Sequence, residues 1–399
     1  MKRIFGKKTD SKIVMFKNYL ILFIMASVLP LSKSAAQKAT PLSWSVAATL
    51  MQNNKPSIGF AGMLSGVNNN VLLIAGGANF PDAMPWQGGK KYYSDKIFVL
   101  EKKGDSFVWN TKNTTTLPEP IAYPGAASTD KGVFYVGGDN EKGISSKAGL
   151  LTWNKSKQQV AYKNLPDLPV SVTAPAVCAL GNTVYVVCGD QAQQSSNKFF
   201  CIDLATKQPE WKPLPEAPLA LANGMAVIQN NKLYLIGGRT KSSTGISQLH
   251  STTFVFDLKK QNWQKLADIF DGEKSTPFTA SAAFAGGKNY IVLAGGDKGD
   301  VFHQIETYLS QIAKTDDATQ KEKLIKDKNE LVMHHQGFST DVLLYNIKLN
   351  QWTKMGNLPV AAQVTTSASV WEGNFMLSSG EIRPGVRSPR ILIGRPGLK

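Results

Sequence analysis

The sequence has only three cysteines, Cys178, Cys188 and Cys201, and only four histidines in 399 residues. An odd cysteine count makes a poor disulfide framework, and no spacing among the three resembles a metal knuckle. They read as buried thiols in strands. His303, His334 and His335 fall in or beside one polar segment without a third ligand at metal spacing, so they read as surface residues and no metal is expected. Acids are also scarce, 29 against 45 Lys and Arg, for a formal charge of +16. That balance suits anionic partners and solubility and says little about fold. No basic cluster is interleaved with aromatics, which argues against a nucleic-acid platform.

Membrane-length apolar runs are missing as well. Tyr19 to Leu31 ("YLILFIMASVLPL") falls short of the roughly 20 apolar residues that a span needs. It follows Lys2, Arg3, Lys7, Lys8, Lys12 and Lys17 and precedes "SKSAAQ", which is the order of a secretory signal. Residues 1–36 are therefore expected to be a signal peptide cut after Ala36. The mature chain, residues 37–399, would be exported to the periplasm, or alternatively secreted, with no stable membrane insertion. Removing seven Lys/Arg and one Asp lowers the formal charge from +16 to +10.

What the sequence does have is a repeat. Six segments share a polar turn, a run of apolar or aromatic residues and two small residues: "NNNVLLIAGG", "DKGVFYVGG", "GNTVYVVCG", "NNKLYLIGG", "GKNYIVLAGG" and "GNFMLSSG". The small pairs are Gly76-Gly77, Gly137-Gly138, Cys188-Gly189, Gly237-Gly238, Gly295-Gly296 and Ser379-Gly380. Each apolar run has the composition of a buried strand, and a small apolar stretch before it completes a hairpin. A third strand follows ("STTFVFDL", "TDVLLYNI"), then a fourth with an aromatic followed by Leu-Pro or its equivalent: Trp109, Tyr162, Trp211, Trp263 and Trp352. Four strands per unit with a recurring small pair predict an all-β fold, a six-bladed β-propeller. Six pairs need six aromatic fourth strands, and the missing one is Trp44, ahead of the first pair. The N-terminal segment is therefore expected to close the ring as the outermost strand of the last blade, removing exposed edges.

Two insertions interrupt the rhythm, both between the second and third strands of a blade and so on one face. One is Ala78 to Ser94; the other, Gly299 to Phe338 in the fifth blade, has Leu309, Ile312, Leu324, Ile325 and Leu331 at partly helical spacing. One or two amphipathic helices are expected there. A lid or wall over the channel mouth is the preferred reading, beside a dimer contact or plain decoration.

The same connection of the sixth blade reads "SSGEIRPGVRSPRILIG". Pro384-Gly385 suits a type II turn. Glu381 and Arg387 then face each other on paired strand ends, with Cβ atoms roughly 5 Å apart. A guanidinium favours the ionised carboxylate, able to act as a base, and is shaped to grip a carboxylate. A solvated ion pair, worth ~0–1 kcal/mol, is the plainer reading. Further rim candidates follow the small pairs: Asn79, Asp139, Asp190, Arg239 and Asp297. Each is also a normal turn or cap residue, as are Asn223 and Gln363 before first strands.

Six kelch-like units, "GGANF…KKYYSD" after the first Gly pair, and above all "GEIRPGVR" resemble the N-acetylneuraminate epimerase (sialic acid mutarotase) family. The likeness is to a branch whose blades are cyclically permuted, and it runs from Trp44 to the C-terminus. The resemblance implies a cofactor-free isomerase interconverting the α and β anomers of sialic acid by ring opening and closure. Glu381 would be the general base. Arg387, with Arg383 as a weaker candidate, would hold the sugar carboxylate. The motif lies near the chain end rather than mid-chain, as a cyclic permutation of the blades implies. The alternative is a non-catalytic kelch propeller binding glycan or protein on its loop face. A sialidase would carry S-x-D-x-G-x-T-W boxes, which are missing, and no Tyr, Cys and His constellation for a copper-radical oxidase assembles.

Overall fold

The computed structural model describes residues 42–52 and 55–397, so the expected signal peptide lies outside the described residues. Six antiparallel sheets form the blades, five of four strands and the first of four plus a short fifth, Tyr92–Tyr93. Their second strands are Val71–Asn79, Gly132–Val136, Thr183–Val187, Lys232–Ile236, Tyr290–Ala294 and Asn374–Arg383, the runs that carry the repeat. Ser43–Thr49 pairs with Val386–Arg395 and completes the sixth blade from outside, Trp44 lying opposite Gly394. The ring is closed by the N-terminal strand, as the aromatic count required.

The tight turns work as their residues suggest. Asn69-Asn70 and Asn230-Asn231 have positive φ at both positions, between 48° and 60°, the twist a two-residue hairpin needs. The fourth-strand aromatics have a definite task. Trp211 Nε1 donates to Pro166 O at 2.9 Å, and Trp263 Nε1 donates to Pro215 O at 3.0 Å. Each indole therefore caps the Leu-Pro corner that ends the preceding blade, which is why the two signals recur together. Between these edges, apolar faces of neighbouring sheets interlock: Phe134, Leu150, Val184 and Ile202 share one core across the second and third blades.

The small pairs form the joints between blades. A Cβ on Gly237 would sit 2.2 Å from Phe278 O, at the entry to the next blade. The following Gly238 N–H donates to that same carbonyl at 2.9 Å. Where the sixth blade has Ser379 instead, its hydroxyl accepts from Phe60 N–H at 2.9 Å and ties the last blade to the first.

Closer to the axis, one residue per blade has positive φ at the entry to the first strand: Gly62, the second residue of Ala61–Asn68, and Tyr123, Ala174, Asn223, Ala280 and Thr365, each two residues before theirs. These six make a closed circuit of backbone hydrogen bonds. Tyr123 N donates to Gly62 O, Ala174 N to Tyr123 O, Asn223 N to Ala174 O, Ala280 N to Asn223 O, Thr365 N to Ala280 O and Gly62 N to Thr365 O, at 2.7–3.1 Å. The circuit fixes where side chains from different blades converge.

The long insertion folds as helix α1 (Asp300–Lys314) and helix α2 (Ala318–Met333). Asp317 caps α2 by accepting from Gln320 N. Helix α1 is anchored to the fourth blade's loop, where Glu306 accepts from both Ser247 N and Ser247 Oγ, at 2.6 and 2.9 Å.

Candidate active site

The residue after each small pair is bridged, backbone to backbone, to the residue just before the axial circuit. The bridges are Ala61 with Ala78, Ala122 with Asp139, Thr173 with Asp190, Ala222 with Arg239, Thr279 with Asp297 and Val364 with Glu381. These six residues after the small pairs therefore occupy equivalent places around one end of the channel. Asp139, Asp190, Arg239 and Asp297, flagged in the sequence, all belong to this set. Asn79 is one position further on. It is buried, its Nδ2 donates to Gly59 O at 3.0 Å, and it lines a separate groove with Ser57, Phe60 and Tyr92.

Glu381 and Arg387 are directly opposed across their strands, with Arg387 Nη1 2.7 Å from Glu381 Oε1. Gly385 N–H donates to the same Oε1 at 2.5 Å, so the turn itself holds the carboxylate. Gly385 has φ +80°, the left-handed value a type II turn requires after proline. The turn leans on the first blade's insertion: a Cβ at Gly385 would come 3.0 Å from Pro85 and Trp86. Arg387 lies behind Glu381, with its side chain only 5% exposed. Its Nε donates to Ala78 O at 3.3 Å and its guanidinium sits 5.2 Å from the centre of the Phe80 ring. Among the described residues Nη1 has no aligned hydrogen-bond acceptor, so the contact with Glu381 is an ion pair with a donor to spare.

Glu381 faces a cavity of about 260 Å³, just below the ~300–1,000 Å³ usual for small-molecule sites. Arg239, Asp297, Asn223 and Thr279 share its walls, and its roof comes from the insertion: Phe302 and Ile305 of α1, then His335 and Phe338. The helical insertion thus forms a wall of the channel mouth. His335 corrects the reading of it as a surface residue: it is buried and lines this cavity, whereas His303 and His334 are exposed. Burial, and then the nearby Arg383, lower its pKa. Arg383 itself is exposed and Gln363 is buried within the sixth blade, donating from Nε2 to Arg390 O at 2.9 Å. Thr365, not Gln363, is the counterpart of Asn223 in the axial circuit.

The charges around the mouth are arranged unevenly. Arg239 Nη2 is 2.7 Å from Asp190 Oδ2, and its guanidinium lies 5.9 Å from the centre of the Phe302 ring. Asp190 is held in turn by Ser195 Oγ at 2.7 Å. Among the described residues, Asp139 and Asp297 form no ion pair. Burial raises the pKa of Asp139, with Lys91 opposing, and burial raises that of Asp297. Tyr123, which sequence reading missed, stands beside Asp139; burial pushes its phenol well up, against the attraction of Arg387. Lys91 Nζ lies 5.6 Å from the centre of its ring. Its one sequence signal is its place before a first strand, the reason that singled out Asn223.

A family model described as N-acetylneuraminate epimerase matches residues 165–397, a span that includes Arg239, Asp297, Glu381 and Arg387. Curated relatives carry the same name. The one from Pasteurella multocida is 31% identical over 236 residues, 58% of this chain and 59% of its own length. That from Haemophilus influenzae is 26% identical over 231 residues, 58% of this chain and 59% of its own. That from Salmonella typhi is 29% identical over 231 residues, 57% of each. The chain thus matches somewhat under three fifths of the length of these relatives.

Proposed function

The chain belongs to the N-acetylneuraminate epimerase family, and from that premise we propose that it interconverts the α and β anomers of a sialic acid, N-acetylneuraminate being the first candidate. One observation carries this reading: Glu381, ion-paired with Arg387 at 2.7 Å, faces a cavity sized for a small molecule. Anomer exchange needs the proton of the anomeric hydroxyl removed so that the ring opens, and returned after the carbonyl has turned its other face. A positioned acid–base group contributes ~10²–10⁴-fold to such a step. Glu381 is the group that takes this proton. Arg387 fixes the carboxylate from behind. Arg239, the cationic side chain among those lining the cavity, is better placed than the enclosed Arg387 to meet the sugar's own carboxylate, with Arg383 further out. Such a pairing would be bidentate in its favoured geometry.

The test is proton NMR on freshly released N-acetylneuraminate, with glucose as a sugar lacking a carboxylate. The reading expects the protein to accelerate exchange of the first and not of the second. No acceleration of either would favour a propeller that only binds. Export of the mature chain, residues 37–399, belongs to the same proposal, supported by the basic start, apolar run and small residues of the first 36 positions.

A further inference from the structure

Ring opening needs a second proton that Glu381 cannot supply while it is taking the first. The ring oxygen leaves with the electron pair of the broken C–O bond and must be protonated. The structure brings a second carboxyl to the same space. Asp297 and Glu381 hold equivalent positions on the neighbouring fifth and sixth blades, each bridged to the segment that leads into its own blade's first strand, and both line the one cavity. Their surroundings differ. Glu381 has the Arg387 guanidinium 2.7 Å away. Among the described residues Asp297 has no cation partner, and its Oδ1 accepts from Gly299 N at 2.8 Å. Lys298, next in the chain, turns away to Asp271 and Asp341, at 3.1 and 2.8 Å.

The geometry points to Asp297 as the acid that protonates the ring oxygen while Glu381 deprotonates the anomeric hydroxyl; this inference rests on the anomerase reading above. In the opening step the hydroxyl O–H pair becomes the carbonyl π bond and its proton passes to Glu381. The C–O bond to the ring oxygen breaks, and that oxygen takes the Asp297 proton. The open-chain keto acid then rotates about the bond beside its carbonyl. In closure the hydroxyl that had been the ring oxygen attacks the other carbonyl face and returns its proton to Asp297. The new anomeric oxygen recovers its proton from Glu381, and both carboxyls end as they began.

The division of labour follows a general pattern, in which two carboxyls serve as base and acid when their environments separate them. Burial raises the Asp297 pKa, the Gly299 N–H opposes this, and the negative charges of Glu381 and Asp300 raise it further. Arg239 and His335 also face the cavity, from the fourth blade and from beyond α2. An acid must be protonated to act, so the rate should fall as pH rises through the Asp297 pKa.

The test is Asp297→Asn, an isostere that can still accept from Gly299 N, with the pH dependence of kcat/KM measured beside the native protein. The inference expects an alkaline limb in the native profile. In the variant it expects a loss of about 10²-fold, the typical share of one acid–base group, and no such limb. Native-like rates in Asp297→Asn would overturn it. So would a slower variant that keeps the alkaline limb, since that is what a merely structural residue would give. If the variant does not fold, a native profile without an alkaline limb overturns it equally. Failure here would leave the anomerase reading standing, provided the native protein still accelerates exchange. If the native protein is inactive, that reading fails first.

Discussion

Replacing Gly237 by Ala tests the claim that the small pairs are joints between blades. Gly287, in a hairpin turn of the fifth blade, supplies a control. The two have φ of +56° and +55°, so the left-handed backbone penalises an added Cβ equally, by ~1–2 kcal/mol. Their surroundings differ completely. A Cβ at Gly287 meets nothing within 4 Å, whereas one at Gly237 would stand 2.2 Å from Phe278 O. A comfortable C···O approach is about 3.3 Å, so the carbonyl must retreat by about 1 Å. Overpacking of this kind costs ~1–3 kcal/mol. The retreat also weakens the bond from Gly238 N, which adds ~0.5–1.5 kcal/mol. Gly237→Ala should therefore lose about 2–4 kcal/mol more than Gly287→Ala, measured by urea unfolding. Equal losses for the two variants would refute the joint.

Phe302→Ala should open the roof of the cavity and uncover Arg239, whose guanidinium lies against that ring. We expect KM to rise about tenfold, ~1.4 kcal/mol, with kcat little changed; steady-state kinetics on N-acetylneuraminate would show it. Acid should unfold the protein through Asp271 and Asp341. Burial alone would raise both carboxyls. For Asp271 it is outweighed by the Lys274 and Glu273 N–H groups, Lys298 and Thr276; for Asp341 it is outweighed by Lys298, Lys354 and Ser339. Their folded pKa values are thus depressed, so the stability they lend is full above the ordinary carboxylate range, about 3.9, and is lost as pH falls through the depressed values. Urea midpoints should stay level down to about pH 5 and then drop, and Asp271→Asn should make that drop shallower.

The ring was legible because its signals are local. Trp44 had no small pair before it, and a closed ring needs as many fourth strands as second strands; that arithmetic placed Ser43–Thr49 correctly. The recurring aromatic and Leu-Pro corner marked a real contact, Trp211 to Pro166, although the pattern alone did not reveal the hydrogen bond. Glu381 and Arg387 were readable because a two-residue turn fixes which residues face each other. What failed depended on register or on distant parts of the chain. Asn79 was chosen where Ala78 holds the equivalent place, because one residue decides which side of a strand faces the channel. His335 and Phe302 gave no local sign of their role. They reach the cavity through the folded insertion, whose helix α1 is tied by Glu306 to Ser247 on another blade. Tyr123 stands at the mouth through a six-bond circuit that no short window of sequence displays.

Glu381→Gln is the sharpest measurement of the account. The amide oxygen can still accept from Gly385 N–H, which keeps the turn, while the basic carboxylate is gone. With folding verified by circular dichroism, the variant should bring α-to-β exchange of N-acetylneuraminate down to the rate without protein. Exchange at the native rate in folded Glu381→Gln would contradict the claim that this carboxylate moves the proton.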